Sequence, residues 1–233
     1  MKTIRVNNFF EYLTSIENIG KNNTNLILYR GQGVNLPLIP SVARKDPSSD
    51  TTEMEVQMLA ELKRRSKLIA ERNLFDDWEW LVYAQHFGMK TRLLDWSSNP
   101  LTALWFACSN EYQITLDASV YILTDANEFI LEERLKESPF NRSKTRILKP
   151  DLNNNRIVAQ SGWFSVHKYS SKAKRFVDLK TNREIKDNLL EVIIPGKQKK
   201  DILKNLNTFG INHQSLFPDI TGFCKNINWE FNI

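Results

Sequence analysis

The spacing of apolar positions predicts two helices in the first third of the chain. Apolar residues recur at helical spacing over residues 8–19, and Gly20 is placed to end that helix. The same spacing predicts a long amphipathic helix over residues 52–73, with Thr52 as its cap. We expect the following residues to share one face of the second helix: Met54, Met58 and Leu62.

Two more helices follow, and each has a clear boundary signal. The segment "DDWEWLVYAQHFG" predicts a helix that ends at Gly88. In "NPLTALWFACSN", Asn99 takes the cap position and Pro100 the first helical position, and the helix that follows is almost wholly apolar. This helix is therefore predicted to be central. In the earlier helix, the residues expected to face inward are Trp80, Leu81, Ala84 and Phe87.

Short apolar runs bounded by turn-forming residues predict strands at residues 26–29, 118–123 and 189–195. Residues 156–167 read as one or two strands bent at Gly162. Near the C-terminus, "KKDILKNLNTFGI" predicts an amphipathic helix, and "FPDITGFCKNI" predicts a short helix or turn. The stretch between the strands, residues 137–155, is expected to be a loop.

These elements predict an α+β fold rather than a doubly wound sheet. Helices cluster over about residues 8–110 and strands over about residues 115–233, without regular alternation. With 233 residues and 27.2 kDa, one domain over residues 1–233 is expected. We predict a central sheet, mixed or mostly antiparallel, with helices packed around it.

Composition narrows the function classes only weakly. A net charge of +5 weakly favours polyanionic partners, but the basic residues are scattered along the sequence and do not require a nucleic-acid partner. Cys108 and Cys224 have no disulfide or metal-site spacing, so we expect no metal and a reducing, cytoplasmic location. No run has the length of a signal peptide or a membrane span, and we expect no membrane partner.

Polar residues set among apolar ones are the candidate functional residues, because burying them is costly unless they are paired or used. The first cluster is Arg30, Gly31 and Gln32, at the predicted end of a strand. The arginine suits a phosphate or carboxylate, and the glycines would let a ligand approach the backbone. The alternative is that Arg30 pairs with a buried aspartate.

The second cluster contains Gln85, His86, Arg92, Asp95, Ser97 and Ser98. The two serines precede a capped helix, where hydroxyls and free amides bind an anion or a ribose. Arg92 and Asp95 are also readable as a buried ion pair, and His86 as a structural histidine.

Two later clusters complete the set. Arg156 and Gln160 interrupt a strand pattern, and Asp219 either caps the last helix or reaches back into a site. The chain has no P-loop, no Rossmann glycine fingerprint, no nucleophile elbow and no metal-binding histidine pair. The commonest enzyme classes therefore lack support.

Taken in order, these clusters resemble the FRG domain, a prokaryotic family named for a (Phe/Tyr)-Arg-Gly motif, here Tyr29-Arg30-Gly31. The resemblance extends through "LIPSVAR", "WEWLVYAQHFGMKTRLLDWSSNPLTALWFA", "VYIL", "RIVAQSGWFSVH" and "SLFPDITGF". The family background implies a toxin or phage-defence effector.

The chain also resembles, more distantly, one clade of ADP-ribosyltransferases, in which a strand ending in Tyr-Arg-Gly holds the phosphates of NAD. "DWSSNPLTALWFA" is similar to the second motif of that clade, a Ser-rich strand followed by a helix. The resemblance implies that Arg30 holds the pyrophosphate of NAD and that Ser97 or Ser98 braces the nicotinamide side. The acceptor would be a protein or a nucleic acid.

The same clade uses a catalytic glutamate as its third motif. Gln160 stands at the comparable place in motif order, but glutamine supplies no negative charge to a cationic transition state. Glu191 and Asp219 are the carboxylates expected to replace it if the fold brings either close. The alternatives are a basic nucleic-acid-binding or RNA-processing module and a non-enzymatic interaction domain.

Overall fold

The computed structural model describes residues 1–21, 23, 25–68, 74–132 and 137–231. Over this part of the chain, one mixed sheet of seven strands has the order β1-β9-β4-β2-β3-β6-β5, beside a separate two-stranded ribbon. The strands of the large sheet are β1 (Lys2–Arg5), β2 (Leu28–Gln32), β3 (Leu93–Ser97), β4 (Ala118–Leu123), β5 (Arg146–Leu148), β6 (Gly162–Val166) and β9 (Leu189–Ile194), and the ribbon pairs β7 (Tyr169–Ser170) with β8 (Arg175–Phe176).

Neighbouring strands of the large sheet run antiparallel, except for β1 beside β9, which is parallel. This confirms the predicted single-domain α+β fold. The helices are α1 (Phe9–Lys21), α2 (Thr52–Arg65), α3 (Asp77–His86), α4 (Pro100–Cys108), α5 (Asn155–Ala159), α6 (Lys199–Thr208), α7 (His213–Leu216) and α8 (Ile220–Glu230). None of the described helices is long and apolar enough to cross a membrane.

Helices cover one face of the sheet in two groups. Helix α4 packs against β2 and β4 with α1 and α6 beyond it, and its buried residues include Leu104 and Trp105. Helices α3 and α5 cover β3, β5 and β6 at the other end, through residues such as Trp78 and Ile157. The opposite face packs against connecting segments that contribute Leu38, Phe129 and further residues. The gap between the two helix groups leaves room for a cleft.

The strand predictions over residues 118–123 and 189–195 are confirmed by β4 and β9. The prediction of one or two strands over residues 156–167 is only partly correct. Asn154 caps a short helix at the start of this segment, and only the part from Gly162 onward is a strand. The predicted loop at 137–155 contains β5, and the N-terminal strand β1 was not predicted.

The helices lie near their predicted positions, but some boundaries and inward faces differ. Gly20 lies inside α1 rather than ending it, and Thr51 rather than Thr52 takes the cap position of α2. Helix α3 ends near Gly88, which has a φ of +86°, but Phe87 is exposed rather than inward. In α2 the buried residues are Glu55 and Leu59; of the three residues expected on its inner face, Met54 is exposed and the other two are half-buried. That helix ends at Arg65, and the last predicted positions, 69–73, lie outside the described residues.

Candidate functional site

Arg30 lies in the middle of β2, not after the strand as the sequence suggested. Within the described residues, β2 and β3 bridge only where Tyr29 faces Ser97, and they separate beyond that point. At this separation Arg30 Nη1 donates a 2.6 Å hydrogen bond to the Asp95 carbonyl oxygen. The sheet therefore fixes the guanidinium at an opening between two central strands.

The charge of Arg30 is only partly compensated. The Asp95 carboxylate is 3.7 Å from Nη1, which is too long for a hydrogen bond. Among the described residues, Arg30 Nε is buried without a partner and no hydrogen bond engages Nη2. The side chain is 12% exposed, and its burial lowers the pKa of the guanidinium to about 10, against the opposing effect of Asp95. Arg30 stays positively charged at neutral pH.

Asp95 belongs to a polar network that leads from the strand to helix α3. Gln85 Nε2 lies 3.2 Å from each carboxylate oxygen of Asp95, and Thr91 Oγ1 donates to Gln85 Oε1 at 2.6 Å. The Asp95 side chain is 58% exposed. Of the two interpretations of Arg30, the ion pair with an aspartate is present, but that aspartate faces solvent.

Arg92 takes no part in this network. It forms a two-point interaction with Glu55, Nε to Oε2 at 3.0 Å and Nη2 to Oε1 at 2.8 Å, and both side chains are almost fully buried, at 1% and 2% exposed. Its remaining donors reach the Thr52 hydroxyl and the carbonyls of Pro139 and Phe140. The expected pairing of Arg92 with Asp95 is therefore wrong, and every guanidinium nitrogen of Arg92 already has a partner in the core.

The two serines at the start of α4 have different surroundings. Ser97 is buried, donates to the Gln160 carbonyl at 2.6 Å and accepts from the Asn99 amide at 2.9 Å. Asn99 in turn caps α4 by accepting from the Leu101 amide. Ser98 is exposed and does not line the cleft. Ser97 thus fixes the junction between β3 and α4.

Gly31 has a packing function that the sequence did not reveal. A Cβ built on Gly31 would lie 1.8 Å from the Ala103 carbonyl oxygen and 2.6 Å from the Ala107 amide nitrogen. Helix α4 therefore approaches β2 so closely that only glycine fits. The expectation that Gly31 makes room for a ligand is replaced by this close helix packing. Gln32 lies at the end of β2, outside the cleft lining, with a buried Oε1 that has no partner among the described residues.

A second arginine comes from α5. Arg156 Nη2 is 3.2 Å from Asp219 Oδ2, its guanidinium carbon lies 4.7 Å from the centre of the Phe217 ring, and its Nε is buried without a described partner. Asp219 also caps α8 through the Gly222 amide at 2.9 Å, so both interpretations of this residue apply. That backbone hydrogen bond, followed in effect by Arg156, lowers the pKa of Asp219.

Gln160 and Glu191 lie in different parts of the molecule. Gln160 lines the cleft, and its amide donates to the Leu216 carbonyl at 3.1 Å. Glu191 is buried on β9, where it accepts from Ser119 at 2.6 Å and from Asn35 at 3.1 Å. Because β4 lies between β2 and β9, Glu191 is two strands, roughly 10 Å, from Arg30.

Together these groups border a cleft of about 290 Å³ between the two helix groups. Of the sequence-predicted residues, Arg30, Gly31, His86, Ser97 and Gln160 line it, whereas Gln32, Arg92, Ser98, Glu191 and Asp219 do not. The roles of the lining residues stay predictions. The lining also includes Gln85, Asp95 and Arg156, which the sequence marked as candidates, and residues that it did not mark, among them Thr102 and Phe217.

Arg156 was visible in the sequence as a charge within an apolar run. Thr102 gave no such signal, because its position in an apolar helix is ordinary. No group of three or more histidine, cysteine, aspartate or glutamate residues suited to a metal ion occurs in the described part of the chain.

Residues 25–115 match the model of the FRG domain. This stretch of the chain is therefore similar to the FRG domain. The matched stretch carries Arg30, Asp95 and helix α4, while Arg156, Gln160 and Phe217 come from beyond it. The cleft therefore joins the FRG domain match to the C-terminal part of the same fold. No curated protein and no solved structure matches the chain.

Proposed function

We propose that the cleft binds a nucleotide, with NAD as the first candidate, and that the protein is an ADP-ribosyltransferase-like effector. The observation that carries this proposal is the presence of two guanidinium groups, Arg30 from β2 and Arg156 from α5, in one aromatic-lined cleft. Planar guanidinium groups bind phosphate oxygens through paired hydrogen bonds.

Arg30 is the better placed of the two arginines for a phosphate. Within the described residues its one hydrogen bond goes to a backbone oxygen, so Nη2 stays available to a ligand. The nearby Asp95 carboxylate competes only weakly for this guanidinium, since it is exposed and lies beyond hydrogen-bond distance of Nη1. A diphosphate would supply the negative charge that the partly buried guanidinium lacks.

The aromatic residues supply surfaces for flat rings. Phe106, Trp163, Phe164 and Phe217 line the cleft, and such side chains stack on bases and on nicotinamide. Ligand pockets have volumes of about 300–1,000 Å³, so this cleft is comparable with the smallest of them. We expect part of a dinucleotide to lie in the cleft and the rest to extend toward solvent.

For transfer chemistry, the cleft needs a negative charge near the ribose. Asp95 is the carboxylate among the lining residues, and we place it ahead of Asp219 and Glu191 as the group that stabilises the oxocarbenium-like transition state. In the proposed reaction the acceptor's nucleophile bonds to C1′ of the nicotinamide ribose. The C1′–N bond breaks, nicotinamide leaves with that electron pair, and the nucleophile's proton passes to solvent.

The test is incubation of the purified protein with labelled NAD and bacterial lysate. We expect released nicotinamide and label on protein or nucleic acid, and we expect Asp95→Asn to lose both. Asp187→Asn is the matched control, because Asp187 is exposed and does not line the cleft. Absence of nicotinamide release by the wild type in every lysate would contradict the transferase proposal.

The effector role is tested separately in cells. Expression of the wild-type chain in a bacterial host should slow growth, and expression of Arg30→Met at the same level should not. Equal growth of the two strains would argue against a toxic activity that depends on this cleft.

A nucleic-acid-binding module is the second candidate, and the net charge of +5 favours it. The two candidates differ in their response to salt. Binding along a phosphate backbone weakens steeply as salt rises, by roughly 10³–10⁵ between 50 and 200 mM when several phosphates are contacted. A nucleotide held in the Arg30 cleft should show a much weaker salt dependence.

A further inference from the structure

A second cavity lies on the other side of helix α4 from the Arg30 cleft. It has a volume of about 390 Å³ and is enclosed by the end of α4 together with α6, α7 and α8. A layer of aromatic rings separates the two spaces. Trp105 borders this second cavity and packs at 5.2 Å and 5.9 Å, between ring centres, from Phe106 and Phe217, which border the cleft.

One wall of this α6–α8 cavity is a single face of α6. Its four residues are spaced at i, i+3, i+4 and i+7, so their side chains project to the same side. The two lysines among them are exposed, so two ammonium groups lie at the edge of the cavity, where they suit an anion. Lys204 Nζ also lies 3.6 Å from the exposed Asp201 carboxylate, a surface ion pair with which an anion would compete. The four residues are Lys200, Leu203, Lys204 and Asn207.

The opposite wall contains the buried Asn226 and the half-buried His213, each of which has one buried polar atom without a partner among the described residues. Asn226 is 3% exposed, and its Nδ2 donates to Glu230 at 2.8 Å. Because a carboxylate only accepts, this bond fixes the amide orientation and leaves Oδ1 without a partner. His213 Nδ1 is likewise unpaired, and burial lowers the pKa of this ring, so it is neutral at pH 7. Unpaired buried polar groups of this kind call for a ligand or ordered water.

The remaining wall is mainly aromatic and aliphatic. Trp105 and Trp229 border the cavity, Ile114 and Ile211 add apolar surface, and Ser109 and Glu111 are the polar residues of this wall. A flat ring therefore fits between apolar surfaces, beside the wall that contains the buried, unpaired Asn226 Oδ1.

We propose that the α6–α8 cavity binds a nucleoside monophosphate with an exocyclic amine, such as AMP. The amine donates to Asn226 Oδ1, the base packs against the tryptophans, and the phosphate lies at Lys200 and Lys204. This site is distinct from the Arg30 cleft and does not depend on the function proposed for that cleft.

The test is calorimetric titration of the full chain with AMP. We expect binding that is weakened at least about tenfold by Lys200→Ala/Lys204→Ala, because the phosphate loses both charged partners. The matched control is Lys144→Ala/Lys172→Ala, a pair of exposed lysines that border neither cavity, and it should bind like the wild type. Trp229→Phe should reduce the change in tryptophan fluorescence that AMP causes.

Component probes test the ligand class. Adenosine, which lacks the phosphate, and ribose 5-phosphate, which lacks the base, should each bind at least about tenfold more weakly than AMP. Ribose 5-phosphate binding as tightly as AMP would overturn the nucleotide assignment. The proposal is also overturned if AMP gives no heat, or if Lys200→Ala/Lys204→Ala binds AMP as tightly as the wild type. Loss of AMP binding in Arg30→Met, with binding retained in Lys200→Ala/Lys204→Ala, would place the AMP site in the Arg30 cleft and would likewise overturn it.

Discussion

Replacement of Gly31 by alanine tests whether this glycine is required by the packing of β2 against α4. The added Cβ would lie 1.8 Å from the Ala103 carbonyl oxygen, whereas ordinary contacts are 3.4–4 Å. The obstacle is backbone of the central helix, which has no rotamer to change. An extra methyl group in a packed core costs about 1–3 kcal/mol, and we expect Gly31→Ala to cost about 3 kcal/mol or more.

Urea denaturation followed by circular dichroism measures this cost. With a slope of about 1–3 kcal/mol/M, the midpoint should fall by at least about 1 M, or the variant should not fold. Gly20→Ala is the control, because Gly20 lies in α1 with nothing within 4 Å of an added Cβ. Its midpoint should be unchanged or higher, since alanine is favoured over glycine in helices by about 0.5–1 kcal/mol. A midpoint shift of Gly31→Ala as small as that of the control would refute the packing argument.

Three further predictions concern stability. Arg92→Met leaves the Glu55 carboxylate buried without its cation, so the unfolding free energy measured in urea should fall by about 3–5 kcal/mol. Arg92→Met/Glu55→Leu should recover most of that loss. If the losses of the two single variants simply add in the double variant, the ion-pair argument is contradicted. Burial, with Arg30 and Arg92 nearby, lowers the pKa of His167 to about 3. As the pH drops below 6.5, this histidine is therefore protonated in the unfolded chain before it is protonated in the folded chain. The unfolding free energy should then fall by up to about 1.4 kcal/mol per pH unit. The slope between pH 6.5 and 5 should be smaller in His167→Gln, and equal slopes would count against a neutral buried histidine. Asp219→Ala removes the cap of α8 and should lower the unfolding free energy by about 1 kcal/mol in the same assay, whereas an unchanged midpoint would mean that the cap contributes nothing.

The sequence predicts elements well where local pattern and burial agree. Strand β4 is buried at every position, and its six apolar or small residues were predicted with the correct bounds. Helix α4 was predicted from Asn99 and Pro100, whose cap geometry the structure contains. In both cases a short-range signal is sufficient.

The predictions fail where contacts between residues far apart in the sequence determine the secondary structure. Strand β1 is mostly exposed and becomes a strand through pairing with β9 at the far end of the chain. Gly31 looks like the end of a strand, but it lies inside β2, which pairs with β4 as far as Gln32 and packs closely against α4. The five-residue helix α5 is too short for its periodicity to differ from that of a strand.

The candidate site was predicted in part for the same reason. Arg30 and Ser97 carry recognisable local motifs, and both line the cleft. The partner of Arg92 is Glu55, which lies 37 positions earlier on helix α2, and no local pattern specifies that pair. The contribution of Arg156 depends on α5 and α7 meeting over the end of β6.

The most direct test of the proposed function is calorimetric titration of NAD into the wild-type chain, Arg30→Met and Arg183→Met. Arg183 is exposed and does not line the cleft, so its variant controls for loss of a positive charge. We predict that NAD binds the wild type and Arg183→Met alike and binds Arg30→Met at least about tenfold more weakly, with the urea midpoint of Arg30→Met retained. NAD binding that is undetectable in the wild type, or equal in wild type and Arg30→Met, would contradict the proposal.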